Sequence, residues 1–118
     1  MPEPVNLAME SVDQLADLVQ VQEDSTVSRT VLTDEGARLV LFAFDGGQEL
    51  TEHTAAVPVL LQALDGEFEI TAAGRTVSLR PGGIVHLGTR TPHAVVAKAP
   101  SRLLLTMLDP RQIGRAHV

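Results

Sequence analysis

Two stretches of the chain decide its fold: GQELTEHTAAVPVLLQALDG at residues 47–66 and GGIVHLGTRTPHAVVA at residues 82–97. Both open with glycine, and both combine histidine with short runs rich in Val, Leu or Ile. Short apolar and β-branched runs bounded by Gly, Pro and Asp are typical of strands joined by tight turns. The two stretches therefore predict β-structure that carries histidines.

The same pattern extends in both directions from these stretches. Eight short β-type runs follow one another between residues 27 and 108, with turn residues and no helical pattern between them. They lie at residues 27–32, 38–44, 57–64, 67–71, 76–79, 84–87, 93–97 and 102–108. The dipeptide Asp65-Gly66 predicts a two-residue hairpin between the third and fourth runs. Many short strands without intervening helices predict an antiparallel sandwich or barrel.

The residues up to about position 20 are predicted to form an arm followed by a short helix. Ser11 is a suitable N-cap, and Gln14 has the spacing of its capping-box partner. The apolar residues that recur at helical spacing are Val12, Leu15, Leu18 and Val19. We expect this helix to cover one side of the strand domain, with a partner-binding helix as the alternative. Residues 109–118 form a polar tail that we expect to be loosely held.

The composition of the chain limits its domain number, its partners and its cellular compartment. The chain has 118 residues, which suits one domain over residues 1–118, and 44% of them are hydrophobic, enough for a buried core. Its net charge is −6, with 15 acidic and 9 basic residues, so we expect no nucleic-acid partner. Polar residues and glycine interrupt every apolar run, so we expect no membrane span. Because the chain has no cysteine, nothing indicates an oxidising compartment, and we expect a cytoplasmic protein.

The stretch 47–66 resembles the first of the two motifs of the cupins, a family of compact β-barrels with one ligand pocket. That motif is written G-x5-H-x-H-x3,4-E-x6-G. Gly47, His53 and Gly66 match it in spacing, while the second histidine and the glutamate are replaced by Ala55 and Val59. The resemblance covers nearly the whole chain once the helix and first strands are included.

The stretch 82–97 resembles the second cupin motif, G-x5-P-x-G-x2-H-x3-N. Gly82 and His93 match, and the other three positions are held by Gly88, Arg90 and Ala97. The resemblance implies an all-β fold, the double-stranded β-helix or cupin jelly-roll barrel, over residues 27–108 with one short N-terminal helix. It also implies that His53 and His93 meet in one pocket.

Cupins usually hold a divalent ion with three histidines and a carboxylate, so the resemblance makes His53 and His93 candidate ligands for Fe, Mn, Ni or Zn. Ala and Val at the other two positions have no lone pairs, so any metal binding is expected to be weak. His86 and Gln62 are weaker candidates to complete the set, because the face on which His86 lies is undetermined and Gln62 has the wrong parity relative to Val59.

Strand alternation predicts an apolar pocket wall beside the two histidines. If the strand after residue 57 is regular, residues 59, 61 and 63 point inward. The cupin resemblance adds the motif positions His53, His93 and Ala55, so the predicted ligand-binding pocket is lined by His53, His93, Ala55, Val59, Leu61 and Ala63.

Three functions remain open on these residues. The first is binding of a small molecule of unknown identity, with weak metal binding. The second is a metal-dependent enzyme of the dioxygenase or isomerase type that works with an incomplete ligand set. The third is a ligand-sensing module without a DNA-binding domain of its own.

The runs at residues 57–64 and 102–108 are apolar on both faces, so one face fills the barrel and the other needs a cover. Either the N-terminal helix or a second subunit can supply it. Because small cupins commonly pair through such sheets, the resemblance implies a homodimer.

Overall fold

The computed structural model describes residues 9–109, in which nine β-strands follow one short 3-10 turn, Leu15–Leu18. The strands are β1 (Thr26–Asp34), β2 (Ala37–Phe44), β3 (Glu49–His53), β4 (Val59–Asp65), β5 (Phe68–Ala72), β6 (Arg75–Leu79), β7 (Val85–Leu87), β8 (His93–Ala97) and β9 (Ser101–Leu108). Residues 110–118, which hold most of the predicted tail, lie outside the described residues.

The strands form two antiparallel sheets. One has five strands in the order β1-β2-β9-β4-β7, and the other has four in the order β3-β8-β5-β6. Consecutive strands repeatedly change sheet, as in a jelly roll, which brings both sheets around one core. The predicted all-β jelly-roll barrel is confirmed.

The main core lies between the sheets and follows the period-two alternation of the strands. In β8, for example, His93, Val95 and Ala97 are buried while the residues between them are half-buried. The rings of Phe44 and Phe68 meet edge to face at 5.3 Å between centroids and join the two sheets. This alternation fixes which side chains can face a ligand inside the barrel.

A second apolar cluster covers the outer face of the five-stranded sheet. Leu41, Ala43 and Leu104 lie on that face and pack with Val19. The partly buried residues around them are Leu15, Leu18, Val21, Val27, Val31, Leu39 and Leu64. The chain's own N-terminal segment therefore supplies part of the cover that the two-sided apolar strands require.

Two arginines hold this N-terminal segment against the sheet. The guanidinium of Arg102 donates to the carbonyl oxygen of Ala16, and that of Arg29 donates to the carbonyl oxygen of Leu18 at 3.1 Å. Both acceptors lie in or beside the 3-10 turn, so the turn is fixed by charged donors from β1 and β9.

The predicted N-terminal helix is shorter than its apolar spacing suggests. The turn spans four residues, Leu15–Leu18, and its cap is Gln14 without a side-chain capping bond, so the assignment of Ser11 as N-cap is wrong. A helix this short has little stability of its own. Its apolar side chains pack on the sheet, and the backbone on both sides of the turn is extended. Residues 1–8 of the predicted arm lie outside the described residues.

The predicted hairpin at Asp65-Gly66 is wrong. β4 belongs to the five-stranded sheet and β5 to the four-stranded sheet, so the two strands do not pair. Gly66 has φ +72° and forms a corner where the chain crosses between sheets. A two-residue hairpin with the predicted type of turn lies instead at Ala73-Gly74, between β5 and β6, where both residues have positive φ as a type I′ turn requires.

Candidate functional site

The two histidines of the motifs lie next to each other. His53 on β3 and His93 on β8 are direct cross-strand partners, and their ring centroids are 4.3 Å apart with planes tilted by 59°. His93 is only 2% exposed, whereas His53 lies on an edge strand and is exposed. The pair therefore has one buried member and one that solvent reaches.

An irregularity in β3 brings His53 opposite His93. Leu50 pairs with Val95 and His53 pairs with His93, so the chain advances three residues on β3 for two on β8. In a regular strand, residues three apart face opposite sides of the sheet. The extra residue, a β-bulge, puts His53 on the same inner face as Leu50.

Hydrogen bonds to backbone carbonyl oxygens fix the position of the Nδ1 proton on both rings. Nδ1 of His53 lies 2.9 Å from the carbonyl oxygen of Thr51, and Nδ1 of His93 lies 2.8 Å from that of Thr91. A carbonyl oxygen only accepts, so each Nδ1 carries the proton and donates it. In the neutral form of each ring, the proton on Nδ1 leaves a lone pair on Nε2, and imidazole binds metals and accepts protons in this form.

This arrangement limits what the histidine pair can hold. Two lone pairs cannot hydrogen-bond to each other, so a partner shared by the two Nε2 atoms must be a double donor, such as water, or a metal ion. Among residues 9–109, no group of three or more His, Cys, Asp or Glu side chains could hold a metal together. The residues present fit a two-imidazole site that water or a ligand completes, and they do not fit a complete protein-held metal centre.

A backbone hydrogen bond at Ala55 connects the two motif stretches. The backbone N–H of Arg90 donates to the carbonyl oxygen of Ala55 at 2.8 Å, which joins the second motif to the first. Arg90 has φ +57°, a left-handed conformation that suits the glycine of the cupin motif at this position. Its side chain forms no hydrogen bond or ion pair within the part of the chain that the structure describes.

The predicted apolar wall lies in the main core. Val59, Leu61 and Ala63 point inward from β4 and are buried. Gln62 lies between them on the outer face, opposite Leu104 of β9. The structure therefore places Gln62 on the other side of the sheet from the barrel interior, where it cannot complete a set of inner-face ligands.

His86 occupies the middle of β7. It is exposed, and it pairs with Leu60, whose side chain points to the outer face of the sheet. Its neighbours Val85 and Leu87 pack toward the core. The structure does not bring His86 into a ligand cluster with the other two histidines. It lines a different feature, a cavity that the sequence did not predict.

This cavity has a volume of about 590 Å³ and lies where β6 and β7 form the edges of the two sheets. Its apolar lining includes Ile70, Val77, Leu79, Val85 and Leu87, and its polar lining Arg75, Ser78, His86 and Thr91. None of the six predicted pocket residues lines it. It is one strand away from the histidine pair, because its lining residue Ala72 is the β5 neighbour of His93.

Three solved structures that are similar to this chain share its fold over almost their whole length. A cupin superfamily protein from Desulfitobacterium hafniense is 24% identical with a TM-score of 0.77, covering 91% of this chain and 98% of that chain. A protein of unknown function from Streptococcus pyogenes is 26% identical with a TM-score of 0.77, covering 93% and 96%. An RmlC-like cupin from Desulfovibrio desulfuricans is 27% identical with a TM-score of 0.76, covering 86% and 97%.

No family model and no curated protein matches the sequence. Fold and site define an all-β jelly-roll protein with a histidine pair on two adjacent strands of one sheet. The likenesses to cupin structures identify this fold as the cupin fold. Within residues 9–109 there is no helix whose length and hydropathy would suit a membrane span.

Proposed function

We propose that this chain is a small-molecule-binding cupin-barrel protein whose polar site is the pair His53 and His93, and that the pair binds a divalent metal ion weakly. The observation that carries the proposal is the matched hydrogen bonding of two neighbouring rings. Each Nδ1 is bound to a backbone carbonyl, which leaves both Nε2 atoms available to a ligand, and the ring centroids are 4.3 Å apart.

The expected weakness of metal binding follows from the ligand count. Imidazole nitrogen suits Fe, Mn, Ni and Zn, but stable sites for these ions use three or four protein ligands. Here the positions of the other cupin ligands hold Ala55 and Val59, which offer no lone pairs. Water or an oxygen of the small molecule would have to complete the coordination shell, so metal and small molecule would bind together.

Binding is favoured over catalysis for the same reason. A metal-dependent dioxygenase or isomerase needs an ion that stays bound through turnover, and two imidazoles hold it poorly. A ligand-sensing role is compatible with the same site but needs an output in another chain. No described feature of the barrel favours either alternative over simple binding.

A metal titration tests the proposal. Isothermal titration calorimetry with ZnSO₄ and NiCl₂ is expected to show weak binding near one ion per chain, with all metal lost on dialysis. His93→Ala and His53→Ala should each abolish this heat. His86→Ala is the matched control, because His86 lies on the outer face of β7 and should leave the titration unchanged. Stoichiometric metal that survives dialysis, or an effect of His86→Ala equal to that of His93→Ala, would contradict the proposal.

We also propose that the chain forms a homodimer through the outer face of the five-stranded sheet. The N-terminal segment covers the part of this face around Leu104. On the same face, Leu60 of β4 and Thr106 of β9 are paired neighbours and remain half-buried. This remaining strip, next to the edge strand β7, is where a second copy would pack.

A further inference from the structure

The cavity between β6 and β7 has the size and lining of a ligand site. Its volume of about 590 Å³ is within the range of small-molecule pockets, roughly 300–1,000 Å³. Apolar side chains reach it from both sheets: Ile70, Val77 and Leu79 from one, and Val85 and Leu87 from the other. Ile84, which is 59% exposed although large and apolar, lies at the same cavity.

The charge of the cavity is opposite to that of the chain. The net charge is −6, yet no Asp or Glu is among the described residues that line the cavity. Its ionisable lining residues are Arg75 and His86. A pocket with apolar walls, one cation and no carboxylate suits an apolar molecule with a negative end.

The side chain of Arg75 is unpaired, unlike those of the three basic residues that form ion pairs. Arg80, Lys98 and Arg102 form ion pairs with Glu67, Glu69 and Asp65. Within residues 9–109, the side chain of Arg75 forms no ion pair or hydrogen bond. It has the same strand parity as Val77 and Leu79, so it shares the inner face of β6. Its cross-strand partner is Ala72, whose small side chain leaves room beside the guanidinium.

We propose that this cavity binds a small organic anion, a monocarboxylate with an apolar chain, and that Arg75 binds the carboxylate while the apolar chain lies between the two sheets. A guanidinium can bind both oxygens of a carboxylate in a bidentate manner, which gives geometric selection as well as attraction. The inference goes beyond the proposed function, because it uses none of the residues of the histidine pair.

The test uses hexanoate as the probe, with 1-hexanol and hexylamine as matched ligands of the same chain length. Binding is measured by amide chemical-shift titration of the ¹⁵N-labelled protein. Hexanoate should shift the amides of Val77, Leu79 and Val85, hexanol should bind at least about tenfold more weakly, and hexylamine should bind more weakly still. The difference reflects the loss of a charge-assisted hydrogen bond.

Single substitutions test whether Arg75 is the residue that binds the carboxylate of hexanoate. Arg75→Gln should weaken hexanoate binding at least about tenfold, because a neutral amide replaces the guanidinium. Arg80→Gln removes another exposed charge, one that is already paired with Glu67, and should leave binding unchanged. His93→Ala should leave hexanoate binding unchanged while it abolishes the zinc titration, so this site and the histidine pair can fail independently.

Four results would overturn the inference. They are equal binding of hexanoate and hexanol, equal effects of the two arginine variants, shifts confined to the neighbourhood of His53 and His93, and no saturable shift at all. The third of these would still support the proposed function, because it would place the anion at the histidine pair instead.

Discussion

Replacing Gly66 with alanine should destabilise the barrel far more than the same change at Gly74. Both glycines have left-handed backbones, with φ +72° and φ +75°. An added Cβ at Gly74 would meet no heavy atom within 4 Å, whereas at Gly66 it would lie 1.9 Å from Oγ and 2.5 Å from Cβ of Ser101 and 2.9 Å from the carbonyl oxygen of Pro100. Gly74→Ala therefore isolates backbone strain, and Gly66→Ala adds a clash.

The magnitudes follow from these distances. Left-handed alanine costs about 1–2 kcal/mol, partly offset by lower entropy of the unfolded chain, so we expect Gly74→Ala to cost about 1 kcal/mol. Overpacking at Gly66 adds about 1–3 kcal/mol. Ser101 would also have to move, although its Oγ accepts from the N–H of Glu67 at 3.0 Å and donates to the carbonyl oxygen of Ala99 at 2.6 Å. We expect a total of about 3–4 kcal/mol for Gly66→Ala.

The assay is urea unfolding followed by far-ultraviolet circular dichroism, because the chain has no Trp or Tyr for fluorescence. A double-mutant cycle with Ser101→Gly tests the cause, since that change removes both clashing side-chain atoms of Ser101. Gly66→Ala should cost clearly less in the Ser101→Gly background than in the native chain. If Gly66→Ala costs no more than Gly74→Ala, or if the cycle shows no coupling, the close approach at this corner is not what requires glycine.

Three further changes test the hairpin, the interface and the metal site. Ala73→Asn should stabilise the protein by about 0.5–1 kcal/mol in urea unfolding, because Asn-Gly suits a type I′ turn better than Ala-Gly, and an unchanged or lower stability would contradict this. In sedimentation at micromolar concentration the native chain should have twice the monomer mass, and Leu60→Asp should give a folded monomer. Leu105→Asp is the contrasting variant and should unfold the chain, because Leu105 lies in the main core; a native monomer would refute the dimer. Ala55→His combined with Val59→Glu should raise zinc affinity by orders of magnitude. It should also make thermal stability depend on zinc, because Val59 is 1% exposed and a carboxylate there is costly without metal; unchanged affinity would show that the barrel does not direct these positions at the histidines.

Most strands could be predicted from local sequence because the inner faces of the sheets are apolar and alternate. The strand β3, Glu49–His53, was not among the eight predicted runs, since an edge strand with exposed Thr and Glu lacks that alternation. The hairpin prediction at Asp65-Gly66 failed for a different reason. A dipeptide that favours positive φ shows that the chain turns, but it does not show whether the next strand pairs with the previous one or joins the other sheet.

The candidate site was predictable only in part. Family spacing found His53 and His93, and the structure brings them together, while alternation alone would have placed His53 on the wrong face because it cannot detect a bulge. Alternation correctly put Gln62 out of phase with Val59. The cavity near Arg75 depends on which strands form the sheet edges, and that is decided by long-range pairing rather than by any local pattern. Whether the predicted residues bind a ligand remains a prediction.

The bulge in β3 also makes the histidine pair tolerant of changes in chain length. Leu50 and His53 share the inner face although they are three residues apart. If Glu52 were deleted, the two would be two positions apart, and ordinary alternation would leave both on that same face. A homologous chain could therefore lack one residue here without turning the histidine away from its partner. A search for related proteins that demands a fixed interval before this histidine would miss those with a straight strand.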